Sequence, residues 1–357
     1  MAQQKPFILA LTDGKAGHET QTQGIVQLLN QQQEYQVEWV QLNLPKKWLY
    51  RVLKLLIKFS INTQWLRYFF DAQTLRALEQ KQVAYIVSAG GNTLLANLLL
   101  KQHLHKDQSV KNLVASSLRG IRANLFDVVF TIHEQQAVLP HYFYYPIAPN
   151  KMSALPLTRE QAREHLSIQN AEQTIAVLIG ADTKTVKIGE VAQWVTVLQR
   201  IRQQYPTARL LLTTSRRTSV TFEKELQKLA EQYGIFQLHD QLTWVAQGQS
   251  CDIKDYIKAA DWVLVSPDST SMVAEAVMSG SKLVVAYDEL GFQDGHIEAQ
   301  LRFLAKQHWL YLLNLRQYYN FPEILEELQV QNHTKEITRK LKNIFVHISD
   351  SAGLKNK

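Results

Sequence analysis

Cysteine is nearly absent: Cys251 stands alone, which excludes an intramolecular disulfide framework and a cysteine-based zinc site. No uninterrupted apolar run approaches the roughly 20 residues a helix needs to cross a bilayer. The first apolar run, Phe7 to Leu11, is too short for the core of a secretory signal and leads straight into a glycine-containing turn. A cytoplasmic protein is the expectation. No Asp-x-Asp pair stands out as a metal holder; Asp252 and Asp255 lie three apart and read as a helix start, so no metal site is expected. Acidic residues are the scarcer charge, 32 against 39 Lys and Arg, for a net +7. That balance favours an anionic partner, whether nucleic acid, membrane surface or phosphorylated small molecule.

What is present reads as two successive α/β domains. With 357 residues, 46% hydrophobic and 20% charged, the chain can bury two cores. Short apolar runs at Phe7–Leu11, Val37–Leu42, Val83–Ser88, Asn112–Ser116 and Asp127–Thr131 alternate with helical patterns, one beginning near Gln21 and another over Thr93–Gln102. This grammar predicts a parallel sheet with helices on its faces. Pro146, Pro149 and Pro156 then mark a connection. The alternation restarts at Thr174–Ile179, a helix over Glu190–Gln204, and Arg209–Thr213. It continues through Ile235–Leu238, Trp262–Ser266 and Lys282–Ala286. Two Rossmann-like lobes with parallel sheets facing a central cleft are therefore expected, with ligands beyond the carboxyl ends of the strands.

Three strand-to-helix junctions carry residues suited to phosphate and sugar. In Thr12-Asp-Gly-Lys-Ala-Gly-His-Glu-Thr20, Gly14 and Gly17 allow a sharp turn and close approach. His18 has the chemistry to take a proton from a hydroxyl near neutral pH; a turn histidine that caps a helix is the alternative. Asp13 is the second candidate base. In Ser88-Ala-Gly-Gly-Asn-Thr93, Gly90 and Gly91 suit an anion or hydroxyl approaching backbone amides, or a tight turn with no ligand. The third junction, Val265 to Gly280, is the richest: Asp268, Ser269, Thr270 and Ser271 open a helix, Glu275 follows, and Gly280 closes it. Its unpaired amides and dipole make a seat for a diphosphate, and Glu275 is placed to accept from ribose hydroxyls. The plainer reading has Ser269 or Ser271 capping the helix and Glu275 solvated.

The basic charge is concentrated from Lys46 to Phe70. Lys47, Arg51, Lys54 and Lys58 recur at intervals of four, three and four, with Trp48, Val52, Leu55, Leu56 and Phe59 beside them and Trp65 and Phe69 farther on. Such a segment can lie in the headgroup layer of an anionic membrane or pack its apolar face on the first lobe. It has no RNA-type aromatic platform, so nucleic acid is not expected.

Asp13–Gln21, Ser88–Gly91, Thr214–Thr218 and Asp268–Ala276 together resemble a known family. This is the ELM-type family of glycosyltransferase-like proteins, named after a plant mitochondrial-fission protein, whose bacterial members are associated with lipooligosaccharide-core assembly. More distantly the chain is similar to the peptidoglycan glycosyltransferase that adds N-acetylglucosamine to an undecaprenyl-linked precursor. Ala16-Gly-His18 corresponds to that enzyme's Gly-Gly-His loop, Gly90-Gly91 to its second glycine pair, and Ala274-Glu-Ala-Val-Met-Ser-Gly280 to its ribose-holding helix. The resemblance implies a GT-B glycosyltransferase that moves a sugar from a nucleotide-sugar donor to a lipid-linked or lipooligosaccharide-core acceptor, without a bound metal or other cofactor. It implies His18 as base, Glu275 as ribose ligand and Gln300 against the donor sugar. Ser215, Arg216 and Arg217 become candidate donor contacts. Where the family has a glycine pair, this sequence has Ile179-Gly-Ala-Asp-Thr-Lys184, and Lys184 with Arg216 and Arg217 is expected to offset Asp182. The expected boundaries are 1–148 for the acceptor lobe, 149–170 for the connection and 171–320 for the donor lobe. Residues 321–357 would be helices crossing back to the first lobe, since Leu312–Leu328 and Thr334–Ile348 read as helical. A nucleotide-sugar epimerase on the same fold and a non-catalytic membrane adaptor are the competing readings. The expected location is the inner face of the cytoplasmic membrane, held peripherally through residues 46–70.

Overall fold

A computed structural model describes residues 5–31, 34–105, 108–152, 155–293 and 295–353. The chain divides into two compact units, Met1–Leu155 with His333–Lys357, and Pro156–Asn332. Each is built on a six-stranded, all-parallel sheet. The α/β class read from the alternating pattern is the class observed.

In the first unit, β1 (Phe7–Thr12), β2 (Gln36–Gln41), β3 (Val83–Ala89), β4 (Lys111–Ala115), β5 (Val128–Thr131) and β6 (Tyr142–Tyr144) line up in the order β2-β1-β3-β4-β5-β6. The helices α1 (Ala16–Asn30), α2 (Lys47–Leu56), α3 (Ala72–Glu79) and α4 (Leu94–Leu104) connect them. The strands form because both faces are covered: β1 is apolar up to Thr12, and Ile8 and Leu9 in it and Leu113 and Val114 in β4 are fully buried. From β1 the chain runs outward to β2 and then crosses to β3 on the other side of β1. A crevice opens at such a reversal, just beyond the carboxyl ends of β1 and β3.

The second unit contains α5 (Arg159–His165), β7 (Thr174–Leu178), α6 (Val191–Gln204), β8 (Arg209–Thr213), α7 (Val220–Gln232), β9 (Gln241–Thr243), α8 (Ile253–Ala259) and β10 (Trp262–Val265). It continues through α9 (Thr270–Met278), β11 (Lys282–Tyr287), α10 (Gly295–Lys306), β12 (Tyr311–Asn314) and α11 (Phe321–Glu327). Its order, β12-β11-β10-β7-β8-β9, puts the reversal between β7 and β10. Local signals start the helices: Thr158 and Gln161 form a reciprocal capping box on α5, Ser219 caps α7, and Asp252 caps α8 as its spacing implied. The buried Arg163 of α5 donates to the carbonyls of Ala259, Gln169 and Asn170, tying this helix to the second sheet. The last helix, α12 (His333–Gly353), belongs to the first unit, whereas α11 packs in the second.

Three readings need correction. Ile235–Leu238 is not a strand: Ile235 is in the core but Leu238 is fully exposed, and the edge strand forms later, at Gln241–Thr243. Leu312–Leu328 is not one helix, because its start pairs with β11 as β12. Helix α1 begins at Ala16, not near Gln21, so His18 sits in a helical first turn rather than in a loop.

Candidate functional site

The crevice beyond β1 and β3 holds an Asp–His–Asn cluster. Strand β1 ends at Thr12, whose hydroxyl accepts from the Gly14 amide and donates to Glu19. Gly14 turns the chain at φ +77° and α1 starts two residues on. This geometry fixes Asp13 and His18 on adjacent turns, with Asp13 Oδ1 2.8 Å from His18 Nδ1. The other carboxylate oxygen, Oδ2, accepts from Asn92 Nδ2 at 2.9 Å. Asn92 follows the glycine pair after β3. The Asp13 side chain is wholly buried and that of His18 about a quarter exposed. Burial pushes the Asp13 carboxyl up, but hydrogen bonds from His18 and Asn92, helped by the charge of His18 and the Lys15 amide, outweigh it. The group is held below its ordinary range. An ionised carboxylate only accepts, so Nδ1 carries the proton, and the neutral form of an imidazole held this way presents its lone pair at Nε2. No hydrogen bond to Nε2 forms among the described residues.

Gly90 packs flat on this imidazole. Its φ is +86°, and a Cβ there would come within 2.2 Å of the ring, so only glycine fits. Gly91 lies under the Arg119 guanidinium, and Tyr50 donates to its carbonyl. Gly17 departs from its expected role: it is helical, not a turn residue, and a Cβ on it would meet nothing within 4 Å. One turn along α1 from His18, Gln21 reaches a cavity of about 570 Å³ at the carboxyl ends of β4 and β5. Ser116, Arg119, Thr131 and His133 also line it. The first unit thus brings Asp13, Gly14, His18, Gly90 and Gly91 together and adds Asn92 and Arg119.

In the second unit the loops after β7, β8 and β10 are latched around Asp268. Its carboxylate is fully buried, accepts from Ser266 Oγ at 2.6 Å and the Ala181 amide at 3.2 Å, and pairs with Arg217 at 2.7 Å. Ser266 Oγ accepts from the Gly180 amide, and Thr218 donates to the Gly180 carbonyl. Gly180 is required because a Cβ would lie 2.0 Å from Asp268 Oδ1. Ser215 completes the β8 turn by accepting from the Arg217 amide. Asp268 is therefore a positioning group for three loops. Ser269 caps α9 by accepting from the Met272 amide at 3.3 Å, Thr270 and Ser271 are exposed, and Gly280 ends the helix at φ +78°. Glu275 is buried, not solvated as the plainer reading had it.

The offset of Asp182 expected from Lys184, Arg216 and Arg217 falls instead to Lys187, 2.9 Å away. Arg217 is committed to Asp268, and Lys184 and Arg216 are exposed. A cavity of about 490 Å³ opens beside this latch, lined by Asp182, Lys187, Arg217, Ser219 and Asp288. Asp288 is gripped by both guanidinium arms of Arg316 at 2.7 Å, which holds its carboxyl low against the opposing effect of burial. The start of α9 does not line that cavity, and Gln300 lies on α10, away from it. Asn92 follows a glycine pair and could have been flagged from that; Lys187, Asp288 and Arg316 carry no local signal.

The basic segment is divided between two roles. Leu53, Ile57, Leu66 and Phe69 are in the first unit's core and Trp65 packs against it. Trp48, Val52, Leu55, Leu56 and Phe59 face outward, Trp48 at 62% and Phe59 at 83% exposure. No described helix is long and apolar enough to cross a membrane.

The chain belongs to the mitochondrial fission ELM1 family, whose sequence profile matches residues 16–342. No curated protein sequence matches it. Among solved structures it is similar to a glycosyltransferase from Rickettsia africae ESF-5, with 8% identity and a TM-score of 0.46 over 96% of this chain and 95% of that one. It is also similar to the ADP-heptose lps heptosyltransferase II of E. coli, at 10% identity and 0.45 over 96% and 99%. A UDP-GlcNAc 2-epimerase from Neisseria meningitidis gives 14% and 0.48 over 97% and 100%. Likeness at this level leaves the functional case to the residues themselves.

Proposed function

We propose that the protein is a glycosyltransferase of the GT-B kind, transferring a sugar from a nucleotide-sugar donor to a hydroxyl of a lipid-linked or lipooligosaccharide-core acceptor. The observation that carries this reading is His18, its Nδ1 held by the buried Asp13 and its Nε2 left to accept, in the crevice of a parallel sheet. That is the arrangement of a general base: the imidazole takes the hydroxyl proton, and Asp13 fixes the tautomer and balances the imidazolium that forms. Asp13 serves as the orienting group rather than as a second base, because its own oxygens are both engaged.

The donor belongs to the second unit. The α9 amides left without an intrahelical acceptor, at the hydroxyl-rich turn Ser269–Ser271, suit a diphosphate, and Glu275 is the ribose candidate. As the glycosidic oxygen leaves with the nucleotide, those amides offset its negative charge. The acceptor oxygen, once stripped of its proton, attacks the anomeric carbon and the nucleoside diphosphate departs. The outward apolar row from Trp48 to Phe59, edged by Lys47, Arg51, Lys54 and Lys58, supports peripheral attachment to an anionic membrane, where a lipid-linked acceptor is found.

A thermal-shift panel across uridine, guanosine, cytidine and adenosine diphosphates identifies the donor base. The matching nucleotide sugars are then incubated with envelope glycolipid, and mass spectrometry follows the sugar. Wild-type protein should add one sugar to the glycolipid and His18→Ala should not. Isomerised donor in the absence of acceptor would instead make the protein an epimerase. Failure of all four nucleotides to bind would leave only the adaptor.

A further inference from the structure

A second cavity in the first unit, of about 520 Å³, lies between α2 and the glycine pair after β3. Its charged lining is entirely positive: Lys46, Lys47, Arg51 and Lys54 from the start and face of α2, and Arg119 from the loop after β4. Among the described residues none of these five is ion-paired with a carboxylate. Lys54 instead donates to the Arg119 carbonyl at 3.0 Å, drawing the two sides of the cavity together. Arg119 itself sits at φ +51°, an unusual backbone for a side-chain-bearing residue. Its guanidinium lies over Gly91. The inner wall of the cavity includes Asn92, the residue that donates to Asp13. The phenol of Tyr50, another lining residue, is pushed up to about 12 by burial, against the pull of Arg119, and stays a neutral donor to the Gly91 carbonyl.

Five unneutralised cations around one concavity repel one another unless an anion joins them, and guanidinium groups bind phosphate oxygens in paired hydrogen bonds. The exposed Trp48, Val52 and Leu55 run along α2, and Phe59 in the turn just after it continues the row, at spacings of four, three and four. We propose that this cavity binds the phosphate or diphosphate ester of an amphiphilic acceptor, with its hydrocarbon chain along the Trp48–Phe59 row and its hydroxyl-bearing headgroup reaching His18. This assigns the substrate class as a lipid-borne phosphate ester and rests on the transferase reading above.

The test uses the full chain with phosphatidylcholine vesicles carrying either a phosphomonoester lipid or phosphatidylserine, matched in surface potential. Binding is read from tryptophan emission and co-sedimentation. Wild-type protein should prefer the phosphomonoester vesicles by at least about tenfold, because the ester offers up to two charges and three acceptor oxygens at one point. Soluble pyrophosphate should compete only weakly, lacking the chain. Arg51→Gln with Arg119→Gln should reduce the preference to within about twofold while keeping adsorption to phosphatidylserine through the remaining lysines; Lys47→Gln with Lys54→Gln, a second pair, should reduce it too. Equal affinity for both vesicles, or a preference that survives both double variants, overturns the proposal. Pyrophosphate binding as tightly as the vesicles would overturn the lipid source. The nucleoside-diphosphate melting shift is measured on the same samples. If it persists while the vesicle preference is missing, the cavity assignment falls alone; if it is missing, the transferase reading falls.

Discussion

Asp13→Asn is the sharpest test of the proposed chemistry, because it changes one atom and leaves the shape. The carboxylate accepts twice, from His18 Nδ1 at 2.8 Å and from Asn92 Nδ2 at 2.9 Å. An asparagine accepts at one end and donates at the other. If its oxygen faces His18, its NH₂ meets the Asn92 NH₂, and two donors oppose each other at hydrogen-bond distance. If it flips, its NH₂ faces Nδ1, which must then be the bare nitrogen, and the proton moves to Nε2, where the base is needed. Either way the loss in turnover should be about 10²–10⁴-fold, equivalent to about 3–5 kcal/mol of barrier. The donor KM should stay within a factor of about three, since Asp13 lies in the first unit and the donor is proposed for the second. Release of nucleoside diphosphate gives the rate, and ¹⁵N chemical shifts of His18 report the tautomer directly. There is also a pH signature. The Asp13 carboxyl is lowered in the folded state, so its stabilising effect is complete above the ordinary carboxylate range and fades as pH falls through the lowered value. The stability gap between wild type and Asp13→Asn should be flat near neutrality and close in acid. A variant with an unchanged tautomer and a rate within about threefold of wild type would refute the reasoning.

Three further outcomes follow from the packing. Gly90→Ala puts a Cβ within 2.2 Å of the His18 ring at a φ of +86°; it should cost about 1–2 kcal/mol in urea melts from backbone strain alone and lower turnover further by displacing the imidazole. Arg163→Ala removes a buried guanidinium that serves the carbonyls of Ala259, Gln169 and Asn170, and denaturant melts should show about 3–5 kcal/mol lost. His333 is held down at about 4, chiefly by burial against some upward pull from Glu336. The unfolded chain therefore binds that proton first, and about 3 kcal/mol should vanish as pH drops from about 6.5 through 4. His333→Gln should flatten that part of the acid limb, and an unaltered limb would mean another group titrates there.

Much of the architecture was legible because parallel strands covered on both faces are written as plain apolar runs. Thr174–Leu178, Arg209–Thr213 and Lys282–Tyr287 could hardly be read otherwise. The edges were harder. A three-residue strand such as Tyr142–Tyr144 or Gln241–Thr243 is too short to show a period, and its identity comes from the neighbour it pairs with. Ile235–Leu238 misled because four apolar-leaning residues look like a strand although only the first is buried. At the site, glycines and the histidine announced themselves by position after a strand. Asp13 was visible as a neighbour of His18 but its orienting task was not, since burial and the Asn92 contact depend on a strand 79 residues away. The Asp288–Arg316 clamp was likewise set by packing between residues 28 apart, and the Asp182–Lys187 pair by an irregular loop without a period to read.

The return of α12 to the opening unit has a consequence for how the protein is made. Ile337 and Leu341 are fully enclosed there, and Tyr145 bonds His333 at 2.7 Å, so the half that is synthesised first is also the half that must wait longest for its final piece. The later half has every strand it needs once residue 332 has emerged. During translation the order of completion is therefore reversed relative to the order of synthesis, and a premature stop within the codons of α12 would wound the first unit while sparing the second.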